Sequence, residues 1–251
     1  MQLRALLLTF SILLPVPGPV SALTEGRRQV AVAAASNLSR VFQTVGAEFE
    51  KDTGIHPVFS YGSTATLTRQ IENGAPWDVI AAADTEHIEE LERRGMLANG
   101  STAIYATGVL ALWIPNANSP VRRTEDLTNA SIRVIAMAKP ELAPYGMAAR
   151  ETLDRLGIRR RVESKLVYAE NISMAKQYGV TGNADAVFTA LALMKPDDAG
   201  RTIQISESLH QPIRQALGIV AASKNQALAR QFADYLVTGK GHRTLLNSGY
   251  R

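Results

Sequence analysis

From residue 29 onward, short apolar runs alternate with stretches of helical period, and that alternation confines the chain to an α/β fold. Residues 30–34 are a buried-strand candidate. Leu38, Val41, Phe42, Val45 and Phe49 then recur on one helical face until Gly54 closes the helix. Residues 58–61 and 65–73 repeat the unit, closed by Gly74 and Pro76, and residues 78–82 and 86–94 repeat it again, stopped by Gly95. Three units in succession predict right-handed crossovers and a parallel sheet covered on both faces.

Residues 109–114 form a longer apolar strand ending at Pro115, followed by a polar loop to Pro120. The pattern then resumes with strand 132–137, helix 146–156, a short strand at Leu166 and Val167, helix 172–180 and strand 186–189. A strand over 213–222 precedes two closing helices, 226–237 and 241–246. This order predicts two lobes, the second inserted into the first. Residues 23–106 begin the first lobe, 107–212 form the second, and 213–251 return to complete the first. The crossings are expected near Thr107 and near residues 210–215.

The first 22 residues are set apart. Arg4 precedes an apolar run from residue 5 to 16, and Val20-Ser21-Ala22 closes it with small residues, the pattern of a secretory signal peptide cleaved after Ala22. The run is shorter than the roughly 18–20 residues that span a bilayer, and Pro15, Pro17 and Pro19 interrupt it. No cysteine is present, so the exported chain must hold together by its core. The formal charge of +4 is well mixed along the chain and aromatic residues make up only 6 %, which argues against a nucleic-acid partner. The one dense basic run, Arg159-Arg160-Arg161, reads as a solvated turn after a helix.

Two strand-to-helix junctions carry the chemistry: AVAAASNLS, with Ser36 and Asn37, and YGSTATLTRQIENGAPWDVIAAAD, with Ser63 and Thr64. A helix N-terminus presents unpaired N–H groups at the positive end of a dipole, which suits an anion. Here the donors are uncharged, with no Lys or Arg in either turn. Two later starts match them, Pro144-Tyr145-Gly146 and Glu170-Asn171-Ile172. Ligands of open α/β sheets bind beyond the carboxyl ends of the strands, so facing lobes would converge all four starts on one cleft. A lone Ser or Thr in such a place is usually an N-cap; it is the four starts together that point to a ligand.

The runs AAASNL, GSTATLTRQIENGAPWDVIAAAD, KPELAPYGMAARETLDRLG, AENISMA and TGNADAVF, in that order over nearly the whole exported chain, resemble the periplasmic molybdate-binding proteins. These are the substrate-binding subunits of molybdate ABC importers. The resemblance implies a two-lobed type II periplasmic-binding-protein fold that closes on a tetrahedral oxyanion, molybdate or tungstate, through neutral donors. It implies a periplasmic monomer that serves a permease and its ATPase. By position it assigns ligand contacts to Ser36, with Asn37 beside it, to Thr64, preceded by Ser63, to the Tyr145 hydroxyl and to the Ile172 backbone N–H. Other members carry a ligand tyrosine where this chain has Ala190, a role that Tyr145 takes over.

Other chemistries find less support. His56, His87, His210 and His242 are scattered without metal-ligand spacing, so no cation site or cofactor is expected, and molybdenum would enter only as the oxyanion. No phosphate-binding G-x-x-x-x-G-K-[ST] loop is present. Asp78 and Asp84 flank the third strand as supporting or capping carboxylates. Two rival readings stay open: a binding protein of the same fold for sulfate or a small carboxylate, and a secreted hydrolase using Ser63, although its surroundings are not a G-x-S-x-G elbow.

Overall fold

The computed structural model describes residues 28–251. The segment read as a signal peptide lies outside the described residues. In the first lobe the elements run β1 (Gln29–Ala35), α1 (Val41–Thr53), β2 (His56–Gly62), α2 (Thr64–Glu72), β3 (Val79–Ala81), α3 (Glu86–Arg93) and β4 (Ala103–Gly108). The second lobe holds β5 (Leu110–Ile114), β6 (Ile135–Ala138), α4 (Pro144–Arg155), α5 (Arg159–Val162), β7 (Leu166–Ala169), α6 (Ile172–Val180), β8 (Ala186–Ala190) and β9 (Arg201–Gln204). The chain then returns through β10 (Ile213–Ile219), α7 (Gln226–Val237) and α8 (Lys240–Asn247).

Each lobe is built on a five-stranded sheet, ordered β2-β1-β3-β10-β4 and β7-β6-β8-β5-β9. The expected parallel pairs form, β1 with β2 and β3 in one lobe and β6 with β7 and β8 in the other. Both sheets are nonetheless mixed. β10 lies antiparallel between β3 and β4, and β5 lies antiparallel between β8 and β9.

Apolar burial explains the local choices. Val41, Phe42, Val45 and Phe49 form the inner stripe of α1, and Phe232 of α7 packs on Phe42 and Phe49 edge-to-face at 6.0 and 5.2 Å. The last helices thereby complete the core of the first lobe. Gly54, at φ 69°, adopts the left-handed conformation that ends α1.

Several details depart from the periodicity. Residues 36–38 form a 3-10 turn and α1 begins only at Val41, so Leu38 is buried beneath the junction. β4 and β9 were not foreseen, and the strand expected to reach residue 222 ends at Ile219. Thr107 and Arg251 exchange backbone hydrogen bonds of 2.6 and 2.9 Å at the exit from the first sheet, and the Arg251 side chain pairs with Glu207 on the return path. Among the described residues, no helix is long and apolar enough to cross a membrane.

Candidate functional site

The parallel strands place their carboxyl ends on one rim of each sheet, and the two rims meet. The meeting is made by hydrogen bonds at the helix starts that the sequence singled out.

At the first turn of α2, Ser63 is extended and caps the helix. Its Oγ accepts from Thr66 N–H at 3.3 Å and donates to Thr66 Oγ1 at 2.7 Å. Leu67 N–H bonds the Ser63 carbonyl, and Ala65 N–H reaches across the cleft to Leu142 O at 3.2 Å. Of the four leading N–H groups, that of Thr64 remains, with no acceptor within the helix, at the positive end of the dipole. The Thr64 hydroxyl accepts from Ala83 N–H at 3.0 Å, which turns its own proton away from that bond.

α6 repeats the arrangement. Asn171 caps it, its Oδ1 accepting from Met174 N–H at 3.0 Å, and Ala175 N–H bonds the Asn171 carbonyl. Ser173 N–H donates to Ser36 Oγ at 3.4 Å, while Ser173 Oγ donates to Ser36 O at 2.7 Å. The Ile172 N–H is what remains in that turn. Ser36, like Thr64, thus has its hydroxyl oxygen addressed by a main-chain N–H.

Tyr145 enters at the first turn of α4, where Pro144 occupies a position that needs no N–H. Its ring is buried and its hydroxyl accepts from Gln215 Nε2 at 3.0 Å. Gly108 makes room for this contact, since a Cβ there would overlap both the Tyr145 hydroxyl and Gln215 Nε2. Gly146 allows the same helix to press on the end of β6, because a Cβ would overlap the Ala138 carbonyl. Burial pushes the Tyr145 pKa upward, against a lesser pull from the Gln215 bond, so the hydroxyl keeps its proton.

Asn37 sits next to Ser36, but both its amide protons are engaged, with Gln215 Oε1 at 2.9 Å and the Tyr250 hydroxyl at 3.0 Å. Ser63 has likewise given its one proton to Thr66. Both side chains thus spend these protons on protein partners, whereas the Ser36, Thr64 and Tyr145 hydroxyls accept hydrogen bonds from protein N–H groups. Ser36, Thr64, Tyr145 and Ile172 are each 4 % exposed or less. Gln215, wholly buried, was missed by sequence reasoning, because a lone Gln in a strand carries no signal of its partners.

No cationic side chain belongs to this set. Lys176, one turn along α6 from Ile172, is held by Leu193 O at 2.7 Å and Asp198 Oδ2 at 2.6 Å, so a carboxylate balances its charge. A cavity of about 660 Å³ is lined by residues 83–87, 140–144, 147, 148, 151 and 211–214, and none of Ser36, Thr64, Tyr145 and Ile172 lines it.

Asp78 accepts from Ala31 N–H and from the Ser223 hydroxyl, and Asp84 accepts from His87 N–H at the start of α3, so both brace main chain. The four histidines bond Glu50, Asp84, Gln211 O and Tyr105 O separately. Among the described residues, no group of three or more His, Cys, Asp or Glu could hold a metal ion. Arg160 and Arg161 are exposed on α5.

The model of the bacterial extracellular solute-binding proteins matches residues 30–251. The molybdate-binding protein ModA of Azotobacter vinelandii is 35 % identical over 225 residues, covering 88 % of this chain and 89 % of its own. This chain belongs to the molybdate-binding family of bacterial extracellular solute-binding proteins. The solved Azotobacter vinelandii periplasmic molybdate-binding protein superposes with a TM-score of 0.85 at 29 % identity, over 88 % of this chain and 98 % of that one. The sulfate-binding protein SubI of Mycobacterium tuberculosis shares the fold, with a TM-score of 0.75 at 16 % identity over 89 % and 86 % of the two chains. The two-lobed fold expected from the sequence is therefore the fold of this chain, and fold alone does not choose the oxyanion.

Proposed function

We propose that this protein binds molybdate in the periplasm, with tungstate as a second ligand of equal charge and similar size, and delivers it to the permease and ATPase of an ABC importer. One observation carries the reading: the Ser36, Thr64 and Tyr145 hydroxyls each have their oxygen addressed by a protein N–H, which turns three protons outward beside the Thr64 and Ile172 N–H groups. A site made only of donors suits a fully deprotonated dianion. A protonated ligand such as hydrogen phosphate would set donor against donor, and a buried polar group left unsatisfied costs about 1–3 kcal/mol. The preference for molybdate over sulfate rests on the kinship with ModA.

Asn37 and Ser63 then act behind the ligand, one through Gln215 and the other as the cap that leaves Thr64 N–H exposed to it. We assign no catalysis. A hydrolase would need Ser63 as nucleophile, and its proton is committed to Thr66.

Titration of the chain lacking residues 1–22 tests the reading. At about a thousandfold excess over Kd, molybdate or tungstate should raise the melting temperature by about ten degrees, whereas millimolar phosphate should not. Equal shifts from phosphate would overturn it. A stronger response to sulfate than to molybdate would replace molybdate by sulfate as the ligand.

A further inference from the structure

Of the three hydroxyls, Ser36 and Thr64 are oriented by main-chain N–H groups, which cannot reverse. Tyr145 is oriented by the side-chain amide of Gln215, and an amide can present either its nitrogen or its oxygen. Which atom faces Tyr145 decides whether the tyrosine gives its proton to the cleft or to Gln215.

A chain of hydrogen bonds gives the direction in this structure. It begins at the Asn37 main-chain carbonyl, which can only accept, so the Tyr250 hydroxyl donates to it at 3.0 Å. The Tyr250 oxygen then accepts from Asn37 Nδ2 at 3.0 Å, and the second Asn37 proton goes to Gln215 Oε1 at 2.9 Å. The Gln215 nitrogen is thereby left on the Tyr145 side. Reversing the Asn37 and Gln215 amides together would set the single Tyr250 proton between two acceptors, Asn37 O and Oδ1, just as the single Tyr105 proton now stands between Ala82 O at 2.8 Å and Gln215 Oε1 at 2.9 Å; the orientation present is the one that pairs Tyr250 fully. A register shift in the β10–β4 pairing, between Gln215 and Ala216, accompanies the approach of the two strands' polar groups, where Tyr105 Oη lies 2.9 Å from Gln215 Oε1.

We propose that Gln215 is a positioning residue for oxyanion selectivity: locked by Asn37 and Tyr250, it keeps Tyr145 a proton donor and so excludes ligands that carry a proton. This rests on the oxyanion reading above. The predicted effect lies in selectivity, which a merely structural role would leave alone. With Gln215 replaced, Tyr145 could turn its oxygen toward a protonated ligand.

The test is calorimetric titration of the chain lacking residues 1–22 with molybdate and with phosphate at neutral pH, where phosphate retains a proton. Gln215→Met should weaken molybdate binding about tenfold. Phosphate binding should be kept or improved, so the preference for molybdate narrows by at least that factor. In a Tyr145→Phe background the same substitution should change neither ligand further. Tyr250→Phe, which leaves both Gln215 and Tyr145 in place, should narrow the preference in the same direction and serves if Gln215→Met folds poorly. An unchanged preference in these variants, or an equal loss from Gln215→Met with and without the Tyr145 hydroxyl, would overturn the proposal. If the unaltered protein prefers sulfate, the molybdate reading fails, while the same variants titrated with sulfate against phosphate still decide the role of Gln215.

Discussion

Ser173 donates two hydrogen bonds to Ser36, 137 positions away, between the lobes: its N–H to Ser36 Oγ at 3.4 Å and its Oγ to Ser36 O at 2.7 Å. The first turn of α6 is thus docked on the 3-10 turn that follows β1, and one of the contacts fixes a proposed ligand donor. Ser173→Ala keeps the N–H but removes the shorter bond. A neutral hydrogen bond contributes about 0.5–1.5 kcal/mol, so molybdate affinity should fall roughly three- to tenfold. Small-angle scattering of the ligand-free variant should give a larger radius of gyration than the unaltered protein. An identical profile would mean that this contact does not hold the lobes together.

Deleting the hydroxyls is expected to cost more. Ser36→Ala, Thr64→Ala and Tyr145→Phe each remove a donor to a charged ligand, worth about 1.5–3 kcal/mol, or a ten- to hundredfold loss of affinity by calorimetry. Ile172→Val should change little, since only its N–H is used. If that variant binds as poorly as Ser36→Ala, the donor set is wrongly drawn.

Gly108→Ala puts a methyl group where Tyr145 Oη and Gln215 Nε2 now stand. Overpacking of this kind costs about 1–3 kcal/mol of stability, and the displaced hydroxyl should lose its ligand as well. Thermal melting and titration of one sample read both effects. A normal melting temperature with normal affinity would place Tyr145 elsewhere.

Lys176 and Asp198 form a pair in which both side chains are nearly buried, with the ammonium 5.6 Å from the Trp113 ring centre. Burial raises the Asp198 pKa, but the bonds from Lys176 and Lys195 N–H outweigh it and hold the carboxyl below its ordinary value. Lys176→Met leaves that carboxylate with the Lys195 N–H alone and should destabilise the protein near neutral pH by up to about 3 kcal/mol. Because the folded value is depressed, the pair's contribution is present above the unfolded Asp pKa and fades as pH falls through the folded one. Denaturant unfolding of the variant and the unaltered protein should therefore converge in strong acid.

His87 should show the opposite pH dependence. Its Nδ1 bonds the Asp84 carboxylate at 2.8 Å, which raises the imidazole pKa against the opposing effect of burial. A raised folded pKa gives stability that is complete below the unfolded value of about 6.5 and is lost as pH rises through the folded one. His87→Asn should lower the melting temperature at about pH 5.5 and have less effect at about pH 8.5. A larger deficit at the alkaline end would contradict the assignment.

What the sequence made legible were the strands and helices with internal period and the helix starts with their capping side chains. Ser63 and Asn171 are N-caps because short oxygen-bearing side chains favour that place, and Thr64 and Ile172 follow them by necessity. β4 stayed hidden because AIYATG mixes small and polar residues, exposes Ile104, and pairs only with a strand more than a hundred residues downstream. β9 is four residues at a sheet edge, too short and polar to stand out. Gln215 acquires its meaning only from Asn37, 178 positions away, a partnership that no local pattern encodes.

The Thr107–Arg251 bonds have a mechanical consequence. Arg251 grips the strand leaving the first lobe through its main chain and the returning segment, at Glu207, through its guanidinium. A clamp hinged at these crossings would turn about them, with these contacts resisting a slide of one lobe past the other. Each closure would then bring Tyr145 back to the same place against Gln215.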